Sequence, residues 1–282
     1  MTQPIHKLFT YEELQNHQQQ GSWPVADSTL LSTKYKDRFE MAEKLHNLVD
    51  KDFWTEVNKK HEISEWNDVN IPNKNYSYIY EGDVFSWDDD YMSGPATWEL
   101  PEEGVKSPEV VQRRKVYFYN WTEDELKSPV PQEFTYFVEM QKDFQKVLKH
   151  YLDEVYFDQS ELWEELVLYK LMVISYNIPS ATDKNRTEHR KHNSERFGNE
   201  HCDETLGGLH LGENYSEFWA KNVKTNEQEI ITDLTKNKML WMHGEHAEQS
   251  GFIPTFHGTK HNSQEQLKDR YSIIMDLQVR YK

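Results

Sequence analysis

HCDETLGGLHL, residues 201–211, places His201 and Asp203 two apart and runs directly into the alternating apolar stretch Leu206–Leu211. Alternate residues of an extended chain share a face, so His201 and Asp203 can address one point while Cys202 turns away. Short apolar runs separated by turns continue from there to the C-terminus. They are Glu217–Val223, Glu229–Leu234, Met239–Met242 and Tyr271–Val279, with Val167–Ile178 just upstream. Closely spaced strands of this kind predict a sandwich or barrel.

The first 160 residues have a different texture. Residues 131–157 predict a long helix: Pro131 suits a first turn, and Phe134, Phe137, Val138, Met140, Phe144, Val147, Leu148, Tyr151, Leu152 and Val155 form an apolar stripe. Such a helix is expected to pack on a sheet. Residues 35–59 also read as a helix, whereas Tyr76, Tyr78 and Tyr80 and the run Lys115–Tyr119 read as strands. No linker or repeat interrupts the chain. The expectation is a single integrated unit over 1–282, with a helical and irregular part at 1–160 and a β part at 161–282.

Composition narrows the function. The 282 residues carry a formal charge of −17, which disfavours nucleic acid and anionic membranes as partners. The single cysteine, Cys202, excludes an internal disulfide and favours a reducing, cytoplasmic setting. No signal-like start or apolar run of membrane-spanning length is visible.

Against that background the histidines matter. His257 lies 54 residues after Asp203, and Arg270-Tyr271-Ser272 begins 13 residues later. Two imidazoles and a carboxylate on one face of an ion are the ligand set of non-haem Fe(II) oxygenases, with three positions left over. Other patterns compete. His243-Gly244-Glu245 and His246-Ala247-Glu248 match the same loose spacing, His61-Glu62-Ile63 belongs to a charged segment, and His261 rivals His257.

Residues 201–279 resemble the core of Fe(II)/2-oxoglutarate-dependent dioxygenases, in the style of the isopenicillin-N-synthase-like branch. Met239–Glu245 is similar to that family's strand and turn, Gln249-Ser250-Gly251 to its second turn, and Pro254-Thr255-Phe256-His257 to the segment supplying the distal ligand. Arg270-Tyr271-Ser272 resembles the Arg-x-Ser that grips the distal carboxylate of 2-oxoglutarate. Ile174–Pro179 is similar to a strand that adds a further contact, here Tyr176. The chain departs from the pattern in a longer interval from His257 to Arg270, and in Glu245 where Asp is usual.

The resemblance implies an α+β fold with a double-stranded β-helix (jelly-roll) core in the C-terminal half and packed helices, mainly from the N-terminal half. It implies Fe(II) on His201, Asp203 and His257, 2-oxoglutarate on Arg270, Ser272 and Tyr176, O2 as oxidant, and ascorbate as a helpful reductant. The reaction implied is oxidation of an unactivated C–H bond, by hydroxylation, desaturation or radical ring closure.

Residues 184–196 hold five cations, Lys184, Arg186, Arg190, Lys191 and Arg196, against two acids. A basic lip leading into His201 would focus a small anionic substrate, with Arg186, Arg190 and Arg196 as contacts; a solvated loop is the plain alternative. The kainoid synthases of algae, which cyclise an N-prenylated glutamate, fit a multiply anionic substrate of this kind. Two further readings stay open. One is a cupin-like isomerase or hydrolase using His243, His246 and Glu248. The other is a non-catalytic binding protein with an acidic surface.

Overall fold

A computed structural model describes residues 9–47, 77–83, 98–99, 106–107, 112–118, 132–177, 205–231, 234–261 and 270–281. The described chain is α+β, with helices packed on antiparallel sheets. The helices are α1 (Tyr11–Gln20), α2 (Thr29–Ser32), α3 (Arg38–Asn47) and α4 (Gln132–Glu154). The strands are β1 (Val25–Asp27), β2 (Ser77–Asp83), β3 (Trp98–Glu99), β4 (Lys106–Ser107), β5 (Gln112–Phe118), β6 (Trp163–Asn177), β7 (Gly207–Glu213), β8 (Ser216–Lys221), β9 (Gln228–Ile231), β10 (Lys238–His243), β11 (His257–His261) and β12 (Arg270–Tyr281). None of the described helices is long and apolar enough to cross a membrane.

The larger sheet has seven strands in the order β1-β10-β7-β12-β6-β5-β2, and a smaller one has the order β11-β8-β9. β12 is central. It runs antiparallel to β6 over almost its whole length and to β7 on its other side. Its alternation is strict: Tyr271, Ile273, Met275, Leu277 and Val279 enter the main core, while Ser272 and Asp276 lie on the opposite face.

The core face of the large sheet is covered by α3 and α4. Phe134, Phe137, Val138, Phe144, Val147, Leu148 and Tyr151 recur at three- and four-residue intervals along α4, and all are buried in one cluster with Leu171, Val173, Leu209, Trp241 and Ile273. Trp241 anchors this layer. Its indole stacks on Tyr151 at 4.0 Å and 8°, and Gly207 leaves the room for it, since a Cβ there would lie 2.3 Å from Trp241 Cζ2. Trp241→Ala is expected to lower stability by about 3–5 kcal/mol, measured as a shifted urea midpoint.

Three expectations change in detail. The helix expected over 35–59 is described from Arg38 to Asn47, and residues 48–59 lie outside the described residues. The strands expected around Tyr76–Tyr80 and Lys115–Tyr119 are β2 and β5 at one edge of the large sheet, and the unexpected β1 forms its other edge. β1 pairs with β10 through three residues, too short a run to show a period of two. α1 also went unpredicted, although Thr10 and Glu13 form a reciprocal capping box at its start.

Candidate metal and carboxylate site

The face of the large sheet turned away from α4 meets the small sheet, and the register arranges its residues in rows. Met242, Gly208, Asp276 and Lys170 lie side by side across β10, β7, β12 and β6. The next row is Leu240, His210, Ile274 and Met172, and beyond it come Glu213, Ser272 and Ile174. Arg270 closes the series, cross-strand from Tyr176. The aromatic contacts His210–Phe218 at 4.3 Å and Phe218–His257 at 5.5 Å bridge from the middle row to the small sheet.

His257 opens β11, opposite Ala220. The segment before it is pinned to the end of β10, because the Thr255 N–H donates to the His243 carbonyl (2.8 Å) and the His243 N–H donates to Thr255 Oγ1 (3.1 Å). The Thr255 carbonyl lies 2.8 Å from His257 Nδ1. A carbonyl only accepts, so Nδ1 carries a proton, and in the neutral ring this leaves the lone pair on Nε2, the tautomer a metal ligand needs. The Phe218 ring, stacked at 28°, restrains the imidazole further.

Strand β7 starts at the same end. The Thr205 carbonyl accepts from the His246 N–H at 3.1 Å, and a Cβ on Gly244 would lie 2.1 Å from that carbonyl oxygen, so the two segments meet in backbone contact. Gly251, at φ +78°, closes the turn that returns the chain toward His257. His201, Asp203, Arg186, Arg190 and Arg196 lie outside the described residues. His261 is paired with Ser216, four residues along β11 from His257, so its backbone sits roughly 13 Å away at the other end of that strand.

Arg270 and Ser272 share the inner face of β12. Arg270 is 2% exposed, and its Nη1 lies 3.8 Å from Glu213 Oε2. The Ser272 hydroxyl is fully buried, with no hydrogen-bond partner among the described residues. A buried hydroxyl without a partner is uncommon and marks either strain or a place for a bound group. A guanidinium and a hydroxyl two residues apart on one strand face can bind the two oxygens of a carboxylate.

His243 belongs to the other face. Its ring stacks on Phe252 at 4.1 Å, its Nδ1 is 3.0 Å from the Tyr156 hydroxyl, and burial pushes its pKa down to about 3. Glu248 is exposed, and among the described residues no three His, Cys, Asp or Glu side chains gather as a metal set. The cupin-like set His243, His246 and Glu248 is therefore not assembled, because the face of β10 that carries His243 supplies aromatic core.

The burial of His243 has a pH consequence. Its folded pKa of about 3 lies below the ordinary 6.5, so the stability gained by keeping the ring neutral is fully present above pH 6.5. It is lost as pH falls toward 3, because the unfolded chain takes up the proton first. Between pH 7 and 5 this amounts to about 2 kcal/mol. Urea unfolding across that range is expected to be flatter in His243→Gln than in the wild type.

Sequence reasoning missed Glu213, His210 and the buried pair Lys170–Asp276, whose Nζ and Oδ2 are 3.6 Å apart. Each is an ordinary polar residue in a strand, and only the register shows that it points between the sheets.

No protein-family model matches the chain, and no curated protein matches it in sequence. Solved structures do resemble it. A Caulobacter crescentus protein assigned to the 2OG-Fe(II) oxygenase family aligns over 96% of this chain and 81% of its own, with a TM-score of 0.57 at 11% identity. A full-length Neurospora crassa protein, solved in complex with alpha-KG and thymine, aligns over 95% and 80%, with a TM-score of 0.57 at 12% identity. Dioxygenase for auxin oxidation 1 of Arabidopsis thaliana, a 2-oxoglutarate complex, aligns over 97% and 90%, with a TM-score of 0.52 at 12% identity. At such identities the likeness is one of fold.

Proposed function

We propose that this chain is an Fe(II)- and 2-oxoglutarate-dependent dioxygenase that oxidises an unactivated C–H bond of a small, carboxylate-bearing, amino-acid-derived molecule. The observation that carries the reading is the pairing of a tautomer-fixed His257 with the buried Arg270 and the Ser272 hydroxyl, partnerless among the described residues, between the same two sheets. Strand order supports it. Counting from β6, the chain places β6 and β7 in the large sheet, β8 and β9 in the small one, β10 back in the large, β11 in the small and β12 in the large. That alternation between two sheets supports a jelly-roll winding. Of the three structural neighbours described above, two are oxygenases by name and two are complexes with 2-oxoglutarate.

The residues suit the groups. Fe(II) would take His257 Nε2, with His201 and Asp203 as the other two ligands. Asp203 precedes by two residues the Thr205 that is tied to the His257 end, so the proposed ligands need no long reach. Arg270 would hold the distal carboxylate of 2-oxoglutarate in a forked pair, Ser272 would donate its hydroxyl proton to the same group, and Glu213 would keep the guanidinium oriented. Tyr176, cross-strand from Arg270, is the further contact. When bound, the iron and 2-oxoglutarate supply the oxidising power; the chain's own share is to ligate, orient and exclude water.

Hydroxylation is the leading outcome. Ring closure of the kainoid type and the isopenicillin-N-synthase-like branch are narrower readings that none of the three neighbours carries in its name. Arg186, Arg190 and Arg196 are proposed to attract the anionic substrate. Replacing Arg186 and Arg190 with Gln is expected to raise its KM with little change in kcat.

The direct test is succinate formation from 2-oxoglutarate with Fe(II), O2 and ascorbate. An anaerobic visible charge-transfer band should appear on adding Fe(II) and 2-oxoglutarate. Absence of both succinate and band in a folded protein would remove the reading.

A further inference from the structure

The row nearest the His257 end holds two charges that the proposed site does not use. Lys170 and Asp276 face each other across β6 and β12, each side chain about 3% exposed, with Nζ 3.6 Å from Oδ2. The described neighbours on that face are Gly208 and Met242 in the same row and His210, Ile274 and Met172 in the next. Gly208 sits against the carboxylate, and a Cβ there would come within 2.8 Å of Asp276 Oδ1.

A buried ion pair adds little to stability, because desolvating both charges offsets their attraction. Nor can the pair belong to the 2-oxoglutarate grip: Asp276 is four residues from Ser272 and six from Arg270, roughly 13 and 20 Å along the strand. It lies instead at the end of the sheet where β11 begins with His257 and where β7 emerges after Asp203. On the dioxygenase reading that end lies beside the iron, where the substrate would be held.

We propose that Lys170 and Asp276 together read the carboxylate and the ammonium of a zwitterionic α-amino acid substrate, the inference resting on the dioxygenase reading above. An α-amino acid carries opposite charges on one carbon, and two opposite protein charges less than 4 Å apart are their complement. Lys170 Nζ donates to the substrate carboxylate, and Asp276 accepts from the ammonium. Each protein charge then exchanges one opposite neighbour for another, so binding leaves no charge uncompensated.

The test uses the full chain with Fe(II) and 2-oxoglutarate, anaerobically. The twenty common L-amino acids are added singly, and both the charge-transfer band and the thermal midpoint are recorded. At least one amino acid is expected to perturb the band and raise the midpoint. Its deaminated acid and its decarboxylated amine are each expected to bind at least tenfold more weakly. Lys170→Met/Asp276→Leu removes both charges at once. It is expected to form the band with 2-oxoglutarate and to lose the amino-acid response, as is Asp276→Asn.

A band in the wild type that no amino acid perturbs overturns the proposal and leaves the dioxygenase reading standing. An equal response to the acid or the amine alone also overturns it, as does an undiminished response in the double variant. Absence of the band itself is the failure of the dioxygenase reading.

Discussion

Arg270→Met is expected to abolish 2-oxoglutarate binding at ordinary co-substrate concentrations. Arg270 is almost fully buried, and the side chain beside it is the Glu213 carboxylate, 3.8 Å away. Removing one partner of a buried charge pair costs about 2–5 kcal/mol, roughly 30- to 5,000-fold in affinity. The loss should appear as a raised KM for 2-oxoglutarate and as a weaker anaerobic band, while kcat at saturation falls less. Arg270→Lys should lie between, because an ammonium keeps the charge but not the planar fork.

The variant also strands Glu213 beside an apolar side chain, so Arg270→Met/Glu213→Gln is the proper control for folding. Ser272→Ala is a milder probe: it deletes a hydroxyl that has no partner among the described residues, so it should leave stability nearly unchanged and weaken only 2-oxoglutarate. If Arg270→Met/Glu213→Gln folds and binds 2-oxoglutarate like the wild type, the carboxylate is held elsewhere.

What the sequence disclosed follows from burial. β12 turns one face to the main core and a more polar face to the small sheet, so its alternation survives in the letters. β7 and β10 are buried almost throughout and read as short apolar runs, and the α4 stripe is legible because one helix side meets a continuous core. The turn at Gly251 and the placing of His257 at a strand start also follow from local patterns. The order of the strands does not, since it depends on pairings between residues far apart in the chain. Thus Val25–Asp27 gave no sign of joining β10, and the closeness of Tyr176 and Arg270, almost a hundred residues apart, was legible only through the family resemblance, not from any local pattern. The polar residues between the sheets were hidden for the same reason. Glu213 and Lys170 look like surface charges until the register turns them inward.

His257→Ala is the second large effect, and it separates the two metal readings that the histidine-rich segment 243–261 permits. Loss of a ligand from a three-residue set should remove the charge-transfer band and bring succinate formation below detection, while the fold survives. The ring is buried against Phe218 rather than in the main core, so the expected stability loss is about 1–2 kcal/mol. His261→Ala should retain the band, because its backbone lies four residues farther along β11, opposite Ser216. His243→Ala should behave in the opposite sense to His257→Ala. It deletes a ring stacked on Phe252 and bonded to Tyr156, so it should destabilise the protein by about 2–4 kcal/mol yet leave the band in the folded fraction. The decisive comparison is therefore band intensity per folded molecule across the three variants. Loss in His243→Ala with retention in His257→Ala would move the metal to the far face of β10 and end the dioxygenase assignment. Loss in His257→Ala alone fixes the iron between the sheets, with Arg270 and Ser272 in line to receive the other end of its co-substrate.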